Sequence, residues 1–241
     1  ADVRIGTTGT LDGTQVHKLV IEGLFGRVRN VTTTKTLMER EVLSNLQIDC
    51  LMLQYSQSEI QEIKRASYMD EMKWIIAHPK RNKFISDLCG KIKGNTLVLF
   101  NYVELHGKPL YELIQKTYPD KKVFFIYGGT DAEQRENIRQ IVDQEKEAIL
   151  VASYGTCSTG INIRNINNII FTSPSKSVVR VLQSIGRGLR RSESKDSVKL
   201  YDIADNLSYK KYRNHTMRHL DERIKIYTNE HFDYKLIPIT I

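Results

Sequence analysis

Five short apolar runs, separated by stretches of helical spacing, constrain the fold of this chain more than any other feature. They are Leu97 to Phe100, Val123 to Tyr127, Ile149 to Ala152, Ile169 to Phe171 and Val198 to Tyr201. The first four are continuous rather than alternating, as expected of a strand covered on both faces, and Lys199 interrupts the last. Between them the periodicity changes to that of amphipathic helices. Leu110, Leu113 and Ile114 share a face behind Pro109, which suits a first helical turn, and that helix stops before Pro119. Thr130-Asp131-Ala132-Glu133 reads as a capping box, and Ile138, Ile141 and Val142 give the following helix its apolar side. Strands and helices alternating in this way predict a doubly wound, parallel α/β sheet. Ligands in such sheets sit outside the carboxyl ends of the strands, so chemistry is sought in the loops that leave those ends.

The flanking sequence is less regular. Val3 to Thr7 reads as a short strand entering a polar turn, and residues 17 to 31 as a strand or two with tight turns at Gly23 and Gly26. Residues 34 to 46 have helical spacing, and Ile48 to Tyr55 reads as another strand. Residues 67 to 89 predict helices broken near His78-Pro79, because proline disfavours helical geometry in the residue before it. Trp74 is expected in the core. Residues 209 to 230 read as a basic helix, followed by a short apolar tail from Leu236 to Ile241. His215 and His219 stand four apart on that helix without a third metal ligand, which favours a solvated face over a metal site.

The balance of charges points to anionic partners. The 241 residues carry a net charge of +8, with a pI near 9.3. Between Lys176 and Lys225, thirteen basic residues face six acidic ones. No apolar run approaches a membrane span and no secretory signal opens the chain. Cys50, Cys89 and Cys157 are isolated, which fits a reducing compartment without a disulfide framework or structural zinc. The expected location is the cytoplasm. Ala1 opens in what reads as mid-domain sequence, so the chain is expected to be part of a longer one.

One stretch carries the sharpest chemistry. Val178, Val181, Leu182 and Ile185 form one helix face, and continuing that helix aims Gln183, Arg187 and Arg190 in a common direction away from it. Guanidinium forks donate paired hydrogen bonds to phosphate, so the cluster suits a ligand with several anionic oxygens. A solvated basic face is the bland alternative. Gly186 and Gly188 weigh against it, each disfavouring a helix interior by up to about 1 kcal/mol. The loops after the strands add Asn101 and Tyr102, Gly128 and Gly129 with Arg135, and Ser153 to Asn162. These hydroxyls, amides and guanidiniums suit contacts to a nucleic-acid backbone.

In order and spacing these residues resemble the C-terminal half of a superfamily 2 helicase or translocase motor. Leu97 to Tyr102 is similar to motif IV, Ile126 to Gly129 with Arg135 to motif IVa, and Ile149 to Ile163 to motif V, with Asn162 where most members have Asp. Gln183-x-x-Gly186-Arg187-x-x-Arg190 matches motif VI, and Gly6 to Leu11 looks like motif III, with Gly9 where Ala is commoner. Residues 96 to 241 are worded most like a bacteriophage recombination helicase.

The resemblance implies a RecA-like second motor lobe over residues 46–205. Residues 1–45 would be the end of the first lobe and its connection, and residues 206–241 a basic helical extension. Arg187 and Arg190 would be arginine fingers on ATP, and Gln183 would orient the triphosphate or the fingers. Gly160 and Asn162 would lie by the nucleotide. Asn101, Tyr102, Gly128, Arg135, Ser153 and Thr156 would touch nucleic acid, and Thr8 and Thr10 would couple the two sites. The implied partners are branched or forked DNA, RNA–DNA hybrids and the first RecA-like lobe, with the protein a monomer working in recombination, repair and replication.

No G-x-x-x-x-G-K-[ST] loop occurs, and no Asp-Glu pair follows a strand as the metal-binding motif requires. The triphosphate grip and the Mg²⁺ site therefore belong to the first lobe, and this chain alone is expected to lack ATPase activity. Two other readings stay open: a double-stranded DNA translocase that separates no strands, and a nucleotide-independent nucleic-acid-binding module.

Overall fold

The computed structural model describes residues 3–7, 15–29, 45–159, 165–173 and 197–241. Seven parallel strands form one sheet in the order β3-β4-β2-β5-β6-β1-β7. They are β1 (Asn45–Gln54), β2 (Thr96–Phe100), β3 (Val123–Ile126), β4 (Ile149–Ser153), β5 (Asn168–Phe171), β6 (Ser197–Asn206) and β7 (Asp233–Thr240). Eight helices are present among the described residues: α1 (Gln15–Phe25), α2 (Gln57–Ile63), α3 (Tyr68–Ala77), α4 (Pro79–Lys91), α5 (Lys108–Thr117), α6 (Ala132–Gln144), α7 (Tyr154–Thr159) and α8 (His215–Asn229). A π-helical turn, Val103–Gly107, precedes α5.

The continuous apolar runs become strands for the reason anticipated. All five residues of β2 and all four of β5 are buried. One core lies between the sheet and α6 and α8, built from Leu99, Leu150, Ile169, Ile138, Val142, Met217 and Leu220. The other lies under α2 to α5 and contains Val98, Val151, Ile60, Met72, Ile85, Leu110 and Ile114. The helix break falls where Pro79 places it: His78 is extended, ends α3, and caps α4 by accepting from the Arg81 backbone N–H. Trp74 is half-buried, its ring edge-on to Tyr55 and its indole nitrogen donating to Glu62.

Four expectations need correction. Val3 to Thr7 forms no strand. The region read as strands with turns is α1. Val16, Leu19, Val20 and Leu24 recur at helical spacing, Gly23 is tolerated inside, and Gly26 ends the helix at φ 83° while its N–H donates to the Glu22 carbonyl. The cap of α6 is Asp131, whose side chain accepts from the Gln134 N–H, while Thr130 folds back to accept from the Tyr127 N–H. The strand at Val198 is not the last, because the apolar tail is β7, paired with β1. Pro238 is acceptable on an edge strand, and alternate residues Ile237, Ile239 and Ile241 turn toward the core. The predicted helix at 34–46 lies outside the described residues up to position 44, and Asn45 and Leu46 open β1.

α8 is fastened to β6 by a buried ion pair. Arg223 Nε donates to Asp202 Oδ2 at 2.8 Å, and the Tyr227 hydroxyl donates to the same oxygen at 2.9 Å. Burial works against the guanidinium charge, but the Asp202 carboxylate more than offsets this and holds the Arg223 pKa above its ordinary value. Removing one member of such a pair leaves the other charged and unmatched. Asp202→Ala is therefore expected to lower the unfolding free energy by about 3–5 kcal/mol in urea titrations. Asp221→Ala, which removes the exposed partner of Arg213, should lower it by less than about 1 kcal/mol. Equal losses would show that burial does not set the value of the Asp202 pair.

Candidate functional site

The order of strands brings three candidate loops together. β3, β4 and β2 are neighbours, and the register aligns Ile126 with Ala152 and Phe100 with Ser153. Their carboxyl ends are thus level, about 5 Å from one strand to the next. Asn101 and Tyr102 follow β2, Gly128 follows β3, and Ser153 ends β4. Arg135 stands in the first turn of α6, half-buried, with its Nε donating to the Asp131 carbonyl at 3.3 Å.

The side chains at this rim are not equivalent. Gly128 is exposed, and a methyl group placed on it would meet nothing within 4 Å, so the backbone there is open to a ligand. Ser153 is partly open, and its hydroxyl lies 2.8 Å from that of Thr156 and accepts from the Thr156 N–H at 3.3 Å. Thr156 itself is only 4% exposed. Its hydroxyl therefore shapes the start of α7, leaving Ser153 as the more accessible donor of the two.

Beside β2 lies the topological switch point. The connection from β2 leads to β3 on one side and that from β5 to β6 on the other, which is where doubly wound sheets open a crevice. Ser173, just past β5, is the meeting point. Its hydroxyl accepts from the Asn101 N–H at 3.2 Å and lies 3.2 Å from His106 Nδ1, while its carbonyl accepts from the Tyr154 hydroxyl at 3.3 Å. The preceding residue, Thr172, is held by Leu99, whose carbonyl accepts from both its N–H and its hydroxyl, and by Arg81, which donates to its carbonyl at 2.6 Å.

Arg81, His106, Ser173 and Asp205 are the residues that sequence reasoning missed here. Arg81 and Asp205 are 124 positions apart, and no local pattern pairs them. Thr8, Thr10, Gly160, Asn162, Gln183, Arg187 and Arg190 lie outside the described residues. The segment carrying the last three leaves the sheet from Ser173. Burial raises the thiol pKa of Cys50 and pushes that of Cys89 up to about 12, so neither is a nucleophile at neutral pH.

Burial, and then the Arg81 charge, push the His106 pKa down to about 3 from its ordinary 6.5. Its Nε2 has no hydrogen-bond partner among the described residues. The imidazole is therefore neutral in the folded chain at pH 7. A depressed folded pKa means that protonation favours unfolding: the contribution is complete above about 6.5 and is lost as pH falls toward 3. Thermal midpoints measured between pH 7 and 4.5 should thus fall more steeply for the wild type than for His106→Asn. Parallel slopes would refute a neutral, buried His106.

Comparison with known proteins places this geometry. Residues 80–192 match the helicase conserved C-terminal domain family. The ATP-dependent DNA helicase uvsW of Enterobacteria phage T4 is 32% identical over 99% of this chain, which spans 49% of that protein. The crystal structure of T4 UvsW aligns with a TM-score of 0.72 over 94% of this chain and 46% of that one, at 31% identity. The ATP-dependent Type ISP restriction-modification enzyme LlaBIII bound to DNA aligns with a TM-score of 0.62 at 15% identity, over 91% of this chain and 17% of that one, a likeness of fold alone. This chain therefore spans about half the length of its T4 relative.

Proposed function

This chain belongs to the superfamily 2 helicases, as the C-terminal, RecA-like half of their motor, and from that premise we propose that it completes an ATP-dependent DNA helicase that remodels branched DNA. The reactions proposed are fork regression, Holliday-junction branch migration and R-loop unwinding, in recombination, repair and replication. One observation carries the reading. The loops corresponding to motifs IV, IVa and V occupy adjacent strand ends on one rim, and the segment with Gln183, Arg187 and Arg190 departs from the neighbouring strand.

The division of roles follows from chemistry. Asn101, Tyr102, Gly128, Arg135 and Ser153 present amides, hydroxyls and one guanidinium at the rim, groups that position a phosphate backbone without reading bases. Thr156 supports Ser153 from beneath. Gln183, Arg187 and Arg190 supply donors suited to phosphate oxygens, with the two guanidiniums stabilising charge on the group in transfer and Gln183 holding them in line. Gly160 and Asn162 are assigned to the nucleotide, and Thr8 and Thr10 to the coupling of the two sites. ATP supplies the phosphoryl group whose hydrolysis drives movement.

Mg²⁺ is assigned to the first lobe. The sequence has no phosphate loop and no metal-binding Asp-Glu pair after a strand. Residues 1–45 are assigned to the end of that lobe and its connection, residues 46–205 to the second lobe, and residues 206–241 to an extension that adds α8 and β7.

The test uses the complete protein. Arg187→Ala should lower DNA-stimulated ATP hydrolysis by roughly 10³-fold or more while leaving DNA affinity within a few-fold. Retained hydrolysis, with weaker binding and a salt slope reduced by about one, would favour a nucleotide-independent binding module instead. Strand displacement on forked duplexes separates a helicase from a translocase that leaves strands paired. The 241-residue chain alone should show no DNA-stimulated turnover.

A further inference from the structure

Beyond β5 the rim carries a feature that the assignments above leave unused. α3 and α8 pack on opposite faces of the sheet, through Met72 and Ile75 on one and Met217 and Leu220 on the other. Their N-termini meet over the ends of β1 and β6. The joint is Glu71, 2% exposed, whose carboxylate accepts from the backbone N–H of His215 at 3.0 Å and of Thr216 at 2.9 Å, and from Asn214 Nδ2 at 2.9 Å. At the start of α8 opens a cavity of about 450 Å³ lined by His215, Arg218, His219 and Glu222. Tyr68, which opens α3, flanks the two histidines, edge-on to His215 with ring centroids 5.6 Å apart and tilted against His219 at 5.5 Å.

Arg218 decides what this cavity can hold. Its guanidinium lies over the Tyr212 ring at 5.5 Å, donates to the Tyr212 hydroxyl at 3.3 Å, and donates to His215 Nδ1 at 3.1 Å. None of these partners is a carboxylate, and no ion pair joins Arg218 to one among the described residues. The other charges of α8 are matched. Asp221 takes Arg213 bidentately, Asp202 takes Arg223, and Glu222, the one acid lining the cavity among the described residues, is held by Lys225 at 2.7 Å. Arg218 is also the fourth residue of its helix, where the helix dipole disfavours a cation. An exposed guanidinium that has no carboxylate partner among the described residues and is opposed by its own helix suits an anion supplied from outside.

We propose that this cavity is a further phosphate subsite for nucleic acid, with Arg218 donating to a phosphodiester oxygen and Tyr68 offering its ring to the adjoining nucleotide. The proposal rests on the DNA-motor reading above and extends its track. α3 packs against the turn that begins after Tyr102. Burial first, then the nearby Tyr102 phenol and the Glu71 carboxylate, raise the Tyr68 phenol pKa above its ordinary value, so the two tyrosines are neighbours. A backbone running along the ends of β3, β4 and β2 therefore reaches the cavity without leaving the rim. Aromatic rings beside cationic groups are the usual furnishing of such single-strand tracks.

The experiment uses the complete protein and a fluorescein-labelled oligo-dT strand, with anisotropy titrations across a range of salt. Arg218→Ala is expected to weaken binding several-fold at low salt and to reduce the salt slope by about 0.7, the loss of one phosphate contact on a single strand. Arg213→Ala removes an equal charge that Asp221 already neutralises, and should leave the slope unchanged. Unaltered thermal midpoints for both variants exclude a folding effect. An unchanged slope for Arg218→Ala, or equal losses for the two variants, overturns the subsite. If inorganic phosphate at matched ionic strength abolishes the difference between wild type and Arg218→Ala at millimolar concentration, the cavity is a free-anion site and the proposal falls. Absence of any binding by the wild type would instead overturn the motor reading, and this one with it.

Discussion

A single buried guanidinium ties the working edge of this sheet together. Arg81, on α4, is 0% exposed. It donates to Asp205 at 2.7 Å and to the Thr172 carbonyl at 2.6 Å, and the Tyr55 hydroxyl donates to the same Asp205 oxygen at 2.6 Å. One side chain thus joins a helix layer to the ends of three adjacent strands, β5, β6 and β1. Burial works against the Arg81 charge, and the Asp205 carboxylate outweighs it, so its pKa sits above the ordinary value. The pair is not an efficient source of stability. Arg81 Nη1 and Asp205 Oδ2 have no hydrogen-bond partner among the described residues, and well-packed apolar residues would serve the core as well or better. What the pair supplies is position, because the strand ends cannot slide without separating two charges in a medium of low dielectric. The end of β5, fixed in this way, is the point from which Gln183, Arg187 and Arg190 set out.

The layout of the sheet was legible because its strands are buried on both faces. Continuous apolar runs of four or five residues leave few alternatives, and the helices between them announce themselves through Pro109, Asp131 and their apolar stripes. The misreadings have different causes. Gly23 and Gly26 read as turn signals, although helical spacing runs through the first and only the second ends α1. The apolar tail holds Pro238, which an edge strand accepts because it needs hydrogen bonds on one side only. Local spacing decides the first case and tertiary pairing the second.

The candidate site divides along the same line. Residues at strand ends, such as Asn101, Gly128 and Ser153, follow from the position of the strands and so could be named in advance. The groups that support them could not. Asn95 shows why. Its buried side chain donates to the carbonyls of Val142, Glu145 and Asn165 and accepts from the Ala148 N–H. One amide thereby fastens three connections at the opposite end of the sheet. Its partners lie 47 to 70 positions away, and no periodicity encodes contacts of that range. The direction of the Thr156 hydroxyl, turned to Ser153 rather than outward, is equally invisible in a linear pattern.

Net charge was the weakest guide, and the reason is instructive. A share of the cations of the described surface already have a carboxylate: Lys83 with Asp87, Lys108 with Glu104, Arg139 with Glu136 and Asp143, Arg213 with Asp221. Such pairs contribute little to stability and present little net field to a polyanion. Arg135 and Arg218 belong to the larger group without a carboxylate partner among the described residues, and their place in their helices sets them apart. Each is the fourth residue of a helix that starts at the carboxyl rim, α6 and α8 respectively. A cation in the first turn is disfavoured by the helix dipole by about 0.3–1 kcal/mol, and folding offers no reason to place one there twice. Arg135 and Arg218 share one rim and each is opposed by its own helix, so the phosphate contacts proposed for them would supply a counter-charge that the fold does not.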